Sequence, residues 1–302
     1  MKTLLAKNKN PLLSIIILNY NSGEYLKNCL SSLYRSSLPN STFEVIIVDN
    51  SSTDNSVTLA KKISATNTKF LILNTNKGFS HGNNRGVEIS NKSSQHLIFL
   101  NPDTIVEKDT LKSMLRFFKT NPRVDAATCK IILAKTNQIQ PECHRDFPTP
   151  VNALLHFSGL SSRQYFMEHL DYSKTQEIPA CVGAFFMIKR EVGNKLGWWN
   201  EKYFMYGEDL DFCYKLKQKN YRLFYYPKTY ITHYQGISSG IKKTVSAASR
   251  KTKIRSALAT TNAMRIFYKE NLFSKYPPIT RLFVLSGIKL LERFRVCKAK
   301  YL

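Results

Sequence analysis

Three features of the 302-residue sequence predict an α/β fold, with a mostly parallel twisted sheet flanked by helices and a basic helical extension behind it. Continuous apolar runs recur at residues 12–18 (LLSIIIL), 43–48 (FEVIIV) and 97–100 (LIFL). Helically spaced apolar residues lie between the runs. Each run stops at a loop rich in Asn, Asp and Ser. Strands covered by helices on both faces read as continuous apolar runs, which points to a parallel sheet. Alternation with helical segments selects the α/β class.

Residues 12–18 form the first predicted strand, ending in Asn19-Tyr20-Asn21-Ser22-Gly23. Tyr25, Cys29, Leu30 and Leu33 then fall on one face of a helix. Residues 43–48 form the second strand, ending in Asp49-Asn50-Ser51-Ser52-Thr53-Asp54, and Val57, Ala60 and Ile63 mark a second helical stripe. Residues 97–100 end in Asn101-Pro102-Asp103. Past about residue 130 the pattern loosens. Residues 178–188 (IPACVGAFFMI) predict a buried strand kinked at Gly183, residues 210–218 a helix, and residues 222–226 a strand ended by Pro227. Open parallel sheets bind ligands beyond the carboxyl ends of their strands. Three polar loops at three such ends therefore predict one shared cleft in a Rossmann-like sheet.

The length suits one large domain, or one domain with a small appendage, and 43 % apolar residues supply a large core. The formal charge of +24 attracts polyanions, whether nucleic acid, anionic lipid or phosphorylated substrates. Residues 241–302, which follow a composition shift at 238–241, carry fifteen Lys and Arg against Glu270 and Glu292, about half of the excess. None of the six cysteines pairs as Cys-x-x-Cys, so free thiols in a reducing compartment are expected. The basic N-terminal segment is too short and too broken by Lys7 and Lys9 to resemble a signal peptide. No stretch reaches the roughly 18 uncharged apolar residues of a membrane-spanning helix. A cytoplasmic location is the expectation.

Asp49 directly follows a strand, where a carboxylate can accept the imide N–H of uracil or thymine; the alternative is a turn carboxylate or helix cap. Asp103 sits where a hard cation such as Mg²⁺ or Mn²⁺ would bridge two phosphates; the alternative is an ordinary Asn-Pro-Asp turn. Glu208, Asp209 and Asp211 open a predicted helix. They either complement its dipole or provide a general base for an acceptor hydroxyl. The aromatic stretch at residues 198–206 before them could offer a sugar platform, though most of its rings are expected in the core. His233 is either a metal ligand or a satisfied structural histidine.

Together these residues resemble the family-2 glycosyltransferases. The resemblance runs from Ile17-Leu18-Asn19-Tyr20-Asn21 through Val48-Asp49-Asn50-Ser51-Ser52-Thr53-Asp54, the Asn76-Lys77-Gly78-Phe79 and Gly82-Asn83-Asn84-Arg85-Gly86 segments, and Leu100-Asn101-Pro102-Asp103. It ends with Cys181-Val182-Gly183-Ala184 and residues 204–211 (FMYGEDLD), so it covers about residues 12–236. It is similar above all to the rhamnosyltransferase subgroup, with galactofuranosyltransferases nearby. The resemblance implies a GT-A fold and an inverting single displacement from a dTDP- or UDP-sugar. It implies a domain over residues 1–240 with a nucleotide-sugar half at about 12–130 and an acceptor half at 131–240; the basic helical extension at 241–302 lies outside the resemblance. It further implies that Asn19, Tyr20, Asn21, Asp49, Asn76, Gly78, Asn83, Asn101 and Asp103 bind the donor. Asp103 and His233 would hold a divalent metal, Asp209 would act as base, and Glu208 would support it. Asn101 departs from the family's Asp-x-Asp metal motif.

Residues 279–296 mix Leu282, Phe283, Leu285, Ile288, Leu290, Leu291 and Phe294 with Arg281, Lys289, Arg293 and Arg295. That pattern predicts a basic amphipathic helix, lying either on an anionic membrane surface or against the catalytic domain. The expected acceptor is a glycan, polyprenyl-linked, reached at the inner membrane face; the oligomeric state is left open. A nucleic-acid-binding protein is the rival from another class. The acids converging on the cleft would repel a polyanion, so no nucleic acid partner is expected. A nucleotidyltransferase is the second rival, and it would release diphosphate rather than a nucleoside diphosphate.

Overall fold

The computed structural model describes residues 11–157, 163, 165–235 and 250–301. The N-terminal residues 1–10, the composition shift at 238–241, Lys242 and Lys243 lie outside the described residues. The first two apolar runs form β1 (Leu13–Asn19) and β2 (Phe43–Asp49), buried at almost every position. Between them, α1 (Glu24–Tyr34) buries Leu26, Cys29, Leu30 and Leu33. The chain continues through α2 (Ser56–Ile63), β3 (Thr68–Ile72), α3 (Phe79–Ile89) and β4 (His96–Leu100). The short β5 (Thr104–Val106), α4 (Thr110–Thr120) and β6 (Ala126–Leu133) follow. The second half holds α5 (Pro150–Phe157), β7 (Gln176–Glu177), β8 (Phe185–Lys189), α6 (Arg190–Leu196), α7 (Glu208–Gln218) and β9 (Leu223–His233).

These strands make one nine-stranded sheet ordered β3-β2-β1-β4-β8-β6-β9-β5, with β7 also on β9. The β3-β2-β1-β4 ladders and the β6-β9 ladder are parallel, and they contain most of the paired residues. Antiparallel pairings join β8 to β4 and β6, and β9 to β5 and β7. The predicted mostly parallel sheet is therefore present, with an antiparallel strand wedged into its middle.

Two sequence expectations need correction. The predicted strand at 178–188 begins only at Phe185; residues 178–184 form a loop with one bridge, between Ala180 and Arg145, and isolated backbone bonds to Glu142, Leu223 and Asn101. Pro227 does not end its strand. The β9 ladder to β6 slips in register beside Cys129 and Lys130, between Tyr226 and Tyr230, and resumes to His233. Proline lacks the N–H that a regular ladder needs, so it is accommodated where the ladder is already interrupted.

The aromatic stretch is mostly core, as expected. Trp199 is 2 % exposed. Its ring lies 4.9 Å from Phe99, 5.6 Å from Phe79 and 4.8 Å from Phe212, centroid to centroid. It therefore ties β4, α3 and α7 together. Beyond residue 249, α8 (Arg250–Phe267) leads through a π-helical turn at Tyr268–Leu272 into α9 (Pro278–Tyr301). Ala263, Phe267, Tyr268 and Leu272 are buried in the same core as the sheet.

Truncating Trp199 to Ala should empty the junction of β4, α3 and α7. We expect a loss of about 3–5 kcal/mol in urea unfolding, with the midpoint lowered and the slope unchanged. A midpoint equal to that of the wild type would contradict this packing.

Candidate active site

The sheet register gathers the predicted loops. Asn19 pairs with Asp49 across β1 and β2. Ile17 pairs with Leu100, so the Asn101–Asp103 turn leaves β4 from the same edge. Leu100 pairs with Phe185 on the antiparallel β8, whose preceding residues reach that edge too. There the Asn101 N–H donates to Ala184 O at 3.0 Å.

At the first end, Asn19 Nδ2 donates to Asp49 Oδ1 at 2.6 Å and to Ser56 Oγ at 2.8 Å. The Ser52 N–H donates to Asp49 Oδ2 at 3.0 Å. Asp49 is thus buried and fixed on both oxygens, each of which retains lone-pair capacity. The Thr53 N–H donates to Asn21 Oδ1 at 2.8 Å, locking the two loops together. Tyr20 is half-buried at the end of β1.

Asn76 and Gly78 form the next wall. Asn76 Oδ1 accepts from Asn50 Nδ2 at 2.9 Å and from the Gly78 N–H at 3.0 Å. Gly78 has φ +98°, and a Cβ there would stand 2.3 Å from Phe204 O, so both backbone and space demand glycine. The Phe79 N–H donates to that same carbonyl at 2.8 Å. Asn83, also buried, turns its amide back to Phe79 O at 3.0 Å, so it braces α3.

Asp103 and His233 lie side by side, with Asp103 Oδ1 3.3 Å from His233 Nε2. The other ring nitrogen, Nδ1, is 2.8 Å from Gln140 Oε1. A carbonyl oxygen can only accept, so Nδ1 carries a proton toward Gln140; Nε2 then offers a lone pair toward Asp103 in the neutral imidazole and an N–H in the imidazolium. A carboxylate and an imidazole lone pair facing each other fit a divalent cation. Among the described residues no group of three or more His, Cys, Asp or Glu could hold a metal. Further ligands would come from water, amide or backbone oxygens, or a bound diphosphate. The Tyr234 N–H donates to Asp103 O at 2.9 Å, and the Tyr234 ring meets Tyr25 edge-on at 5.0 Å. This end of β9 thus closes against α1 and the first loop.

The acidic pair opens α7. Tyr206 and Gly207, with φ of 70° and 81°, turn the chain through the left-handed region just before Glu208. Asp209 Oδ2 accepts from Arg145 Nη2 at 2.6 Å and from the Gly183 N–H at 3.3 Å. Gly183 precedes β8, so Asp209 belongs to the same sheet edge as Asn101. Glu208 is buried with Oε2 unpartnered. Desolvation by burial, reinforced by the neighbouring Asp209, pushes its pKa up to about 8. Asp211, the third acid, faces inward to Asn271 Nδ2 at 2.8 Å and Lys215 Nζ at 3.0 Å, a structural role.

Sequence reasoning missed Arg145 and Gln140. Both come from the irregular segment after β6, where neither periodicity nor a motif marks them. Their partners are 64 and 93 residues away.

A mostly parallel sheet with acids at the carboxyl ends of its strands defines an α/β domain with one polar, ligand-competent edge. Residues 14–197 match the family described as Glycosyl transferase family 2, and the chain belongs to that family. It is 28 % identical over 210 residues to the low-salt glycan biosynthesis hexosyltransferase Agl10 of Haloferax volcanii, covering 69 % of this chain and 62 % of Agl10. It is 26 % identical over 163 residues to the rhamnosyltransferase WbbL of Escherichia coli, covering 52 % of this chain and 61 % of WbbL. The chain thus spans about three-fifths of the length of these curated relatives. The mannosyltransferase PcManGT of Pyrobaculum calidifontis, solved with GDP-Man and Mn²⁺, superposes with a TM-score of 0.59 at 16 % identity over 96 % of this chain and 73 % of that one. Staphylococcus aureus TarS, solved with UDP-GlcNAc, gives 0.55 at 16 % identity over 95 % and 89 %. These likenesses establish the GT-A fold.

Between its ordinary value of 4.5 and its raised value of about 8, Glu208 is protonated in the folded chain and ionised in the unfolded one. The folded state then binds the extra proton, so stability falls as pH rises through that window. Glu208→Gln has no such proton to lose. Its stability relative to wild type, followed by urea unfolding at stepped pH, should therefore improve from about pH 4.5 to about pH 8. A pH-independent difference would contradict the burial of Glu208.

Proposed function

We propose that the protein is an inverting glycosyltransferase. It moves a sugar from a nucleoside diphosphate, with dTDP-rhamnose the favoured donor, to a hydroxyl of a polyprenyl-linked glycan in cell-surface polysaccharide synthesis at the inner membrane face. The reading rests on one observation: Asp49, the Asp103–His233 pair and the Glu208–Asp209 pair occupy one edge of one sheet. The likeness to the rhamnosyltransferase WbbL supports the rhamnosyl choice. The TarS complex with UDP-GlcNAc supports the alternative, a UDP-sugar or galactofuranosyl donor.

In this reading Asp49 accepts the pyrimidine imide N–H, and Tyr20 lies against the base. Asn19 and Asn21 hold Asp49 and its loop in place. Asn76, Gly78 and Asn83 shape the wall beside the donor, where only a side-chain-free residue lets the Phe204 backbone approach. Asn101 and Asp103 face the diphosphate, and Asp103 with His233 would hold the cation. Mg²⁺ or Mn²⁺ bound there would neutralise charge growing on the departing diphosphate. Because Asn101 replaces a carboxylate, the chain offers the cation one carboxylate and one imidazole.

Asp209 takes the proton from the acceptor hydroxyl as the oxygen attacks the anomeric carbon. Arg145 and the Gly183 N–H aim it. Glu208 remains protonated near neutral pH, so the adjacent acids divide into one base and one neutral hydrogen-bond donor. Neither needs a covalent sugar intermediate, which agrees with a single inverting displacement.

The test is a donor screen of dTDP-rhamnose against UDP-sugars, reading nucleoside diphosphate release with a glycan acceptor. Asp209→Asn should lower turnover by at least about 10²-fold while leaving donor affinity near the wild-type value. Near-normal turnover in that variant removes Asp209 as the base. Release of diphosphate from a nucleoside triphosphate would instead make the protein a nucleotidyltransferase.

A further inference from the structure

The C-terminal helix α9 presents its apolar residues in two directions. Val284 and Leu285 pack toward the core. Ile279, Leu282, Phe283, Leu290 and Phe294 point the other way and are between 59 % and 71 % exposed. Their spacing of three, four and seven residues draws one stripe along a helix of 24 residues, about 36 Å long. Single exposed apolar residues are ordinary on a protein surface; a continuous stripe marks an interaction face.

Charge selects the partner. Lys289, Arg293, Lys298 and Lys300 are exposed beside the stripe. The helix's acid, Glu292, is turned away, accepting from Arg265 Nη2 at 2.8 Å and Thr261 Oγ1 at 3.0 Å on α8. The outer face is thus apolar along its middle and purely basic at its flanks. A second copy would bring the same cations against each other on chains of charge +24. A nucleic acid would satisfy the cations and leave the apolar stripe in water. No helix among the described residues is long and apolar enough to cross a membrane. An anionic bilayer surface takes up both features, with acyl chains against the stripe and phosphates against the cations.

We propose that α9 is a docking helix that lies in the interface of an anionic phospholipid bilayer through Ile279, Leu282, Phe283, Leu290 and Phe294. The placement suits the site. Helix α8 lies between α9 and the loop that carries the acidic pair. The Arg255 guanidinium stands 4.8 Å above the Phe204 ring, and a Cβ on Gly207 would meet Ala263 Cβ at 3.2 Å. Docking through α9 would therefore hold the Phe204–Gly207 loop at a fixed distance behind the bilayer surface, with α8 between them, for a lipid-borne acceptor that extends beyond the headgroups. That consequence rests on the transferase reading; the docking surface itself does not.

The test is flotation of the full chain with phosphatidylcholine vesicles, with and without phosphatidylglycerol. The wild type should float only with the anionic vesicles and lose binding as salt rises. Leu282→Ser/Phe283→Ser/Leu290→Ser, all at exposed positions, should bind at least ten-fold more weakly, with an unchanged thermal midpoint showing that the fold persists. Lys289→Glu/Arg293→Glu should lose the preference for anionic lipid, each Lys or Arg near such a surface contributing about five-fold. Absence of wild-type flotation at low salt, or equal flotation of the Ser variant, overturns the proposal. So does a wild-type dimer that the Ser variant abolishes in the absence of vesicle binding. Sugar transfer to a soluble glycan is read separately, so failure of docking and failure of the transferase reading remain distinct results.

Discussion

Parallel pairing of β1 with both β2 and β4 is the constraint on which the rest of this structure depends. It aligns three carboxyl ends, so Asn19, Asp49 and the Asn101–Asp103 turn emerge at one edge. Parallel ladders need crossover helices, and α1, α2 and α3 cover the faces of those strands. Strands buried on both faces must be apolar throughout, and polarity is confined to where they end. The chemistry is therefore placed at the edge by the same requirement that fills the core.

The second half of the chain supplies what the first cannot. Antiparallel insertion of β8 between β4 and β6 brings residues 180–184 to the edge beside Asn101. The Gly183 N–H meets Asp209 there, and Arg145 reaches the same carboxylate from the segment after β6. Arg145 pairs with Asp209, whereas Glu208 beside it is buried with Oε2 unpartnered. Burial places the proton on Glu208. The acids thus differ because their surroundings differ, although they are adjacent in sequence.

Strands β1, β2 and β4 and their loops were legible in the sequence because continuous apolar runs and polar ends are local signals; β3 is half-exposed, β5 is three residues long and β6 is interrupted by Thr128 and Lys130, so none of these three was expected. The acidic turn before α7 was legible for the same reason. Residues 178–184 misled because an apolar segment packs equally well as a buried loop when isolated backbone bonds to several different segments hold it. Pro227 misled because a ladder irregularity is a property of two strands, and one strand's sequence does not display it. Arg145 and Gln140 were invisible because their roles arise from tertiary contacts. In α9 the amphipathic character was legible, but its apolar residues run around much of the helix. Only packing against α8 separates the inward Leu285 from the outward Leu282, Leu290 and Phe294.

The central claim is that Asp49, Asp103 and Asp209 face one donor. A crystal of the chain grown with dTDP and Mn²⁺ tests it most directly, through the nucleotide density and the manganese anomalous peak. The account predicts the base beside Tyr20 with its imide on Asp49. It predicts a metal peak between Asp103 and His233, and the terminal phosphate directed toward Asp209. A nucleotide bound away from this edge, or a metal peak remote from Asp103, would contradict it.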